Sequence, residues 1–439
     1  MTGSREPATG SRESATGSRE SATGSRQPAV GVGRWKSAAV YNRRVPIGSA
    51  FHERTALLAE SLSFRDWAGY YAVSAYETHH DHEYNAIRNA CALIDISPLF
   101  KYRVQGPGAT RLVNRVITRD AARLSVGQIW YTPWCDDEGM VIDDGTVTRL
   151  DEDAYRWTAA HPNLRWLVEN AHGLDVEIED ISEQVAALAL QGPTSRALLS
   201  MVCATPIDGL KYFRATRTEI GGVPVDVSRT GYTGDLGYEI WMPWDRALTV
   251  WDALAGAGSA FDLHAAGMLA LDVARVEAGL LLIDVDFHSS RKALIEAQKY
   301  TPAELGLARL VDLRKPAFIG RRALVDEQRR GHRRQIVGLE LEWTAVEALY
   351  EAVGLPPAVA AQTSRVPVPV YSGRTQIGRA TSTTWSTTLK KMIALATLDR
   401  PYFAMGSRTE MEVTVEAVRH RAPARVVPTP FFNPARKTV

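Results

Sequence analysis

A chain of 439 residues is too long for one ordinary hydrophobic core, so two or three domains are expected. Hydrophobic residues make up 45 % and charged residues 23 %, and a net charge of +1 gives no footing for a nucleic-acid partner or an acidic membrane surface. No run approaches the roughly 18 apolar residues that span a bilayer and the N-terminus lacks the apolar centre of a signal peptide, so a cytoplasmic protein without membrane contact is expected.

The chain opens on four heptads, "TGSREPA TGSRESA TGSRESA TGSRQPA", which offer only Ala where a coiled coil needs two apolar positions per repeat. Residues 1–34 are therefore expected to form a disordered tail. The polar stretch "YETHHDHE" leads into a helix expected from His80 to Leu93, with Tyr84, Ile87 and Cys91 on one face. His79, His80, His82 and Glu83 point in different directions, so they read as a solvated helix start and not as a metal site; no metal is expected. Cys91, Cys135 and Cys203 are few and far apart, the pattern of buried thiols. "KYRVQGPGATRLVNRVI" predicts a strand, a Gly-Pro-Gly turn and a helix with Ala109, Leu112, Val113 and Val116 inward.

In "CDDEGMVIDDGTV" Asp143 and Asp144 follow the apolar pair Val141 and Ile142. Neighbours on a strand face opposite sides, so only one of the two can enter a pocket; the alternative is a turn in which both are solvated. Strands follow in "VTRL", "YRWTAA" and "VAALALQG", and Pro193 suits the first turn of the next helix. "VPVDVS" and "GYEIWM" then frame a loop, "RTGYTGDL", with more glycine and charge than a hairpin needs. Downstream, "AAGMLALDVARVEAGL" carries Leu269, Val273, Val276 and Leu280 on one helical stripe, and "FIGRRALVDEQRRG" is a helix closed by Gly331 at its C-cap position. Beyond it "QIVGLELE", "VPVPVY", "KKMIALATL" and "EMEVTVEAV" read as strands of an antiparallel barrel or sandwich, the prolines confining the second to an edge. The expected layout is a tail, an α+β region over residues 35–330 and a β domain over residues 331–439.

An ordered series of landmarks carries a resemblance: "DWAG" at Asp66, "RNACALIDIS" at Arg88, "GQIWYT" at Gly127, "VIDD" at Val141, "LQGP" at Leu190, "SRTGYTGDLGYEI" at Ser228, "LDVARVEAGLLL" at Leu271, "FIGRRAL" at Phe318 and "GRATSTTWSTTLKKMIALATL" at Gly378. From about Tyr41 to Phe432 the chain resembles the glycine cleavage T-protein, a tetrahydrofolate-dependent aminomethyltransferase, and its demethylase relatives. The resemblance implies an α+β fold of three domains in a ring around a central folate site, partly ferredoxin-like at its N-terminal side and with a C-terminal antiparallel β-barrel. It implies tetrahydrofolate as cofactor, Asp144 as the catalytic carboxylate near N5, and Asp143 as structural. Glu239 matches the pterin-binding glutamate, which can accept the ring N3–H and 2-amino donors together. Tyr232 and Tyr131 match ring-contacting positions, Gly231 and Gly234 would let backbone close on the flat ring, and Arg229 would serve the same site or hold the loop through an ion pair.

Several positions depart from the aminomethyltransferase pattern. Leu271 replaces an arginine, Ala160 an asparagine and Met140 a glycine. With Trp134 and Trp157 nearby in sequence, these positions describe the donor side of the site, which is the side that changed. The pattern resembles the tetrahydrofolate-dependent demethylases, which move a methyl group from a small O-, S- or N-methylated donor to N5. Two alternatives are an aminomethyltransferase of glycine-cleavage type, which alone would need a lipoyl carrier protein, and a non-catalytic folate-binding iron–sulfur assembly factor. The last typically carries a cysteine motif after the long helix, where this chain has "LLIDVDFHSSRKALIEAQKYTPAEL".

Overall fold

In the computed structural model, which describes residues 34–36 and 45–439, two six-stranded sheets are followed by a closed barrel. The heptads, and with them the expected disordered tail, lie outside the described residues except for Arg34, which begins the strand Arg34–Lys36. The first sheet runs Arg34–Lys36, Glu177–Asp180, Phe100–Gln105, Ala154–Ala159, Val141–Asp151 and Ile129–Cys135. Its alternation puts Tyr102, Val104, Val147, Tyr155 and Trp157 on one face, where the helix Ala109–Val116 buries Ala109, Leu112, Val113 and Val116 completely, as their spacing predicts. Arg156 and Thr158 alternate with these residues and face the other way.

The second sheet runs Ala215–Ile220, Val223–Ser228, Gly237–Pro243, Val185–Gln191, Cys91–Asp95 and Leu263–Ala265. Leu188, Leu190, Val225, Val227, Tyr238 and Ile240 pack under the helices Ser195–Val202 and Ala247–Gly258. Its opposite face, with Ala187, Ala189 and Trp241, packs on the helix Met268–Glu277 through Ala270, Leu271, Val273 and Ala274.

That helix buries three charges, and each is paired. Arg275 donates to Asp272 at 3.0 Å, to Asp286 at 2.6 Å and to Ser382 of the barrel at 2.8 Å. Glu277 accepts from Arg88 at 2.6 and 2.9 Å, from the Tyr84 hydroxyl at 2.5 Å and from Ser386 of the barrel at 2.5 Å. The barrel closes in the order Arg334–Leu341, Lys391–Asp399, Thr375–Ser386, Val368–Ser372, Arg408–Val415 and Val418–Val427. From it the C-terminal segment returns to the second sheet, where Arg436 pairs with Asp235 at 2.6 Å.

Three local expectations are corrected. The helix at His80 spans only Asp81–Asn89, and Cys91–Asp95 is a strand filling the slot between Val185–Gln191 and Leu263–Ala265, so its β-sheet partners override the helical spacing. That helix start is solvated only in part: His79 and His82 are exposed, but His80 is buried, and Glu83 is buried where its carboxylate accepts the backbone N–H of Tyr76 at 2.6 Å and of Gly267 at 2.7 Å. "VPVPVY" is no edge strand, because Val368–Ser372 pairs on both sides within the closed barrel. Its pairing with Arg408–Val415 begins only at Val370, so Pro369 is not asked for an N–H on that side.

Candidate active site

Two strands of the first sheet bring the paired aspartates into place. Across the register of Ile129–Cys135 and Val141–Asp151, Tyr131 opposes Thr146 and Pro133 opposes Asp144. Alternation then separates the carboxylates. Asp143 is fully buried and accepts from the backbone N–H of Asp144 at 2.8 Å, from that of His161 at 3.2 Å and from Asn163 Nδ2 at 2.9 Å. Asp144 remains partly exposed and accepts from the Tyr131 hydroxyl. Burial pushes the Asp144 carboxyl up to about 6, opposed by that hydrogen bond and by the charge of His161. Burial, with the Asp144 charge, holds the Tyr131 phenol well above its ordinary value.

Opposite stands the glycine loop. Its strands pair Asp226 with Trp241 and Ser228 with Glu239, so these four side chains share one face. Glu239 is partly exposed and accepts from the Thr230 hydroxyl at 2.8 Å; burial raises its carboxyl, while Thr230 and the Arg156 charge lower it. Tyr232 donates to the Leu281 carbonyl and is electrostatically coupled to both Asp144 and Tyr131. Leu271 lies in the apolar cluster on which Tyr232 packs, and Ala160 packs on the same cluster as Tyr131, with Leu281 in its core. Asp144, Tyr131 and Tyr232 thus lie near one another, with Leu271 in the cluster beside Tyr232, Ala160 in the cluster beside Tyr131, and Glu239 on the second sheet.

The remaining expected site residues do other work. Arg229 reaches the C-terminal segment: its guanidinium donates to the main-chain oxygens of Leu210 at 3.2 Å, Lys437 at 3.3 Å and Val439 at 2.6 Å. Gly231 is required by the side chain of Gln191, because a Cβ there would stand 2.0 Å from its Oε1. Gly234 takes φ +74° and would put a Cβ 2.5 Å from that of Ala278. Both glycines are therefore required by close packing within the protein. Trp134 is fully buried, edge-on to Trp157 at 4.9 Å with its indole N–H on Asn163 at 3.1 Å, and belongs to the first sheet's core. Met140 closes the hairpin turn through Asp136, about 13 Å of strand away from Asp144.

Residues that escaped the sequence reading complete the picture. His161, directly after Ala160, acts on Asp144 and hydrogen-bonds Asp284 at 2.8 Å, holding that carboxyl down at about 2. Thr146 and Thr158 share a hydrogen bond on the Tyr131 face. A groove of about 1140 Å³ lined by Arg119, Trp130, Arg309 and Arg321 adjoins this cluster, where Arg119 donates to the Tyr131 carbonyl at 3.2 Å. Among the described residues no group of His, Cys, Asp and Glu is placed to hold a metal ion, and no helix is long and apolar enough to cross a membrane.

Residues 29–315 match the GCVT N-terminal domain, and residues 334–433 match the glycine cleavage T-protein C-terminal barrel domain. An aminomethyltransferase from Halothermothrix orenii is 35 % identical over 355 residues, 80 % of this chain and 90 % of that protein. A trimethylamine-oxide aldolase from Ruegeria pomeroyi is 35 % identical over 403 residues, covering 88 % of this chain but only 47 % of that longer protein. The crystal structure of the glycine cleavage system aminomethyltransferase T from Bartonella henselae matches the fold with a TM-score of 0.74 at 23 % identity, covering 88 % of this chain and 98 % of that one. With both of its family domains matched in order and its fold shared, the chain belongs to the glycine cleavage T-protein family of folate-dependent transferases.

Proposed function

We propose that the protein is a tetrahydrofolate-dependent demethylase that moves a methyl group from a small O-, S- or N-methylated donor to N5 of tetrahydrofolate. One observation carries this reading: the carboxylates and phenols of the acceptor side converge, while the donor-side positions that depart from the aminomethyltransferase pattern, Leu271 and Ala160, are apolar and pack beside Tyr232 and Tyr131. A buried wall without hydrogen-bonding groups discriminates poorly for a polar aminomethyl carrier and suits a methyl group. A relative named for trimethylamine oxide, an N-methylated compound, supports the same donor class.

The residues fit the cofactor by the chemistry of their donors and acceptors. Tetrahydrofolate supplies the N5 nucleophile and a pterin edge with adjacent N–H donors. Glu239, oriented by Thr230, accepts that donor pair. With the folate bound, Asp144 would oppose the cationic charge that develops as the donor's methyl bond breaks and the bond to N5 forms, and would accept the proton lost from N5. Tyr131 fixes the rotamer of Asp144 by donating to it. Glu239→Ala should weaken tetrahydrofolate binding at least about tenfold without unfolding the chain, since a hydrogen bond to a charged group contributes about 1.5–3 kcal/mol. Unchanged affinity by calorimetry would remove Glu239 from the site.

Chromatography of the folate product separates the reaction classes. Incubation with methoxy-aromatic, betaine and sulfonium donors is expected to yield 5-methyltetrahydrofolate, with no lipoyl carrier required. Methylenetetrahydrofolate and ammonia from an aminomethyl-lipoyl donor, with nothing from the methyl donors, would return the chain to glycine-cleavage chemistry.

A further inference from the structure

Arg156 is 4 % exposed and sits between Tyr155 and Trp157, whose side chains fill the helix-covered face of the first sheet. It therefore crosses toward the second sheet. There its Nη1 donates to Asp226 Oδ2 at 2.7 Å, and its guanidinium carbon lies 4.5 Å from the Trp241 ring centroid. From Trp241 a polar row leads to Glu239: the indole N–H donates to Ser228 Oγ at 3.2 Å, Ser228 meets Thr230 at 3.0 Å, and Thr230 donates to Glu239 at 2.8 Å.

The Asp226 contact uses one corner of a planar five-donor group. Nε and Nη2, the fork that pairs with a flat acceptor, are buried without a hydrogen-bond partner. An ion pair with Asp226 alone would be served by a lysine, or by an arginine turned to offer its fork to the carboxylate. Trp241 instead packs against the guanidinium, and the fork is left without a protein partner. The row of side chains from Trp241 through Ser228 and Thr230 thus links the guanidinium to Glu239, which feels the Arg156 charge.

We propose that Arg156 is a specificity residue whose Nε–Nη2 edge binds the 4-oxo oxygen of the pterin while Glu239 accepts the neighbouring N3–H and 2-amino group. The proposal rests on the tetrahydrofolate reading above. A pterin presents two donors and then an acceptor along that edge, and the two side chains supply the complement in the same order. Arg156 thereby reads the one substituent that Glu239 cannot.

The test is calorimetric, with tetrahydrofolate and its 4-amino analogue as probes, on the full chain and on Arg156→Lys, which keeps a cation for Asp226 but loses the fork. The unsubstituted chain is expected to prefer the 4-oxo form at least about tenfold. Arg156→Lys should bind that form at least about tenfold more weakly and lose part of the preference, in line with a lost hydrogen bond to a charged group, while the remainder stays with Glu239 because a 4-amino ring carries no N3–H. A lysine variant that binds both probes as before, or weakens both equally, overturns the assignment. An unsubstituted chain that binds neither probe overturns the folate reading instead. Melting curves accompany each titration, and Arg156→Gln carries the same comparison where the lysine variant does not fold.

Discussion

Asp144→Asn is expected to cost about a hundredfold or more in turnover while tetrahydrofolate affinity changes little, because the amide keeps the shape of the side chain and removes the charge that opposes a developing cation. The same substitution should raise the melting temperature by a few degrees at pH 8. Burial lifts the Asp144 carboxyl from 3.8 unfolded to about 6 folded, so the folded chain holds the proton more tightly than the unfolded chain. That contribution to stability is fully present below about pH 4 and is lost as pH rises through about 6, leaving on the order of 2–3 kcal/mol of strain at neutral pH that the amide relieves. The stability gap should therefore close between pH 6 and pH 4, and the acid limb of the wild-type rate should fall near pH 6. Asp143→Asn should do the reverse. Its amide would set an N–H donor among the N–H groups of Asp144, His161 and Asn163, lowering stability with a smaller effect on chemistry. Loss of turnover in Asp143→Asn with little in Asp144→Asn would invert the assignment.

That Asp143 and Asp144 face opposite ways was legible because strand alternation is a local rule and the two residues adjoin, while which of them turns outward came from the family resemblance. The helix Ala109–Val116 was legible for the same reason, its spacing being its packing. The glycine loop was legible as a landmark but not in its physics. Gln191, from the LQGP landmark, donates to the carbonyls of Thr230 and Tyr238 and accepts from Thr233, and this contact, made at long sequence separation, requires Gly231. Trp134 misled because closeness in sequence to Asp144 says nothing of facing: it pairs opposite Asp143 and shares that residue's buried side. Buried polar partnerships were the least readable. Arg88 and Glu277 lie 189 residues apart, and each alone looks like a surface charge on a helix. Arg156 likewise reads as the solvent-facing residue of an alternating strand until the second sheet closes over it.

Arg275→Met should lower the urea midpoint by the equivalent of about 3–5 kcal/mol, the cost of leaving buried carboxylates without their cation. Asp286 is fully buried and takes its charged partner from Arg275 at 2.6 Å, while Asp272 keeps Arg365, also at 2.6 Å. The penalty should therefore fall mainly on Asp286. Adding Asp286→Asn to Arg275→Met should recover at least about 1 kcal/mol relative to the sum of the single changes, as expected for groups sharing one network. Strict additivity would mean that the two do not act as a pair. A matched apolar set could give a fold of equal stability, so stability alone does not explain three buried charges on one helix. Their directionality does. Arg275 reaches Ser382 of the barrel, Glu277 reaches Ser386 of the barrel and Arg88 of the helix Asp81–Asn89, and together they fix the rotation of Met268–Glu277. Leu271 precedes Asp272 by one residue, about 100° around that helix. Rotation set by the charges is what holds Leu271 in the cluster beside Tyr232, so the Arg275→Met chain, where it folds, should also bind its donor more loosely than it binds tetrahydrofolate.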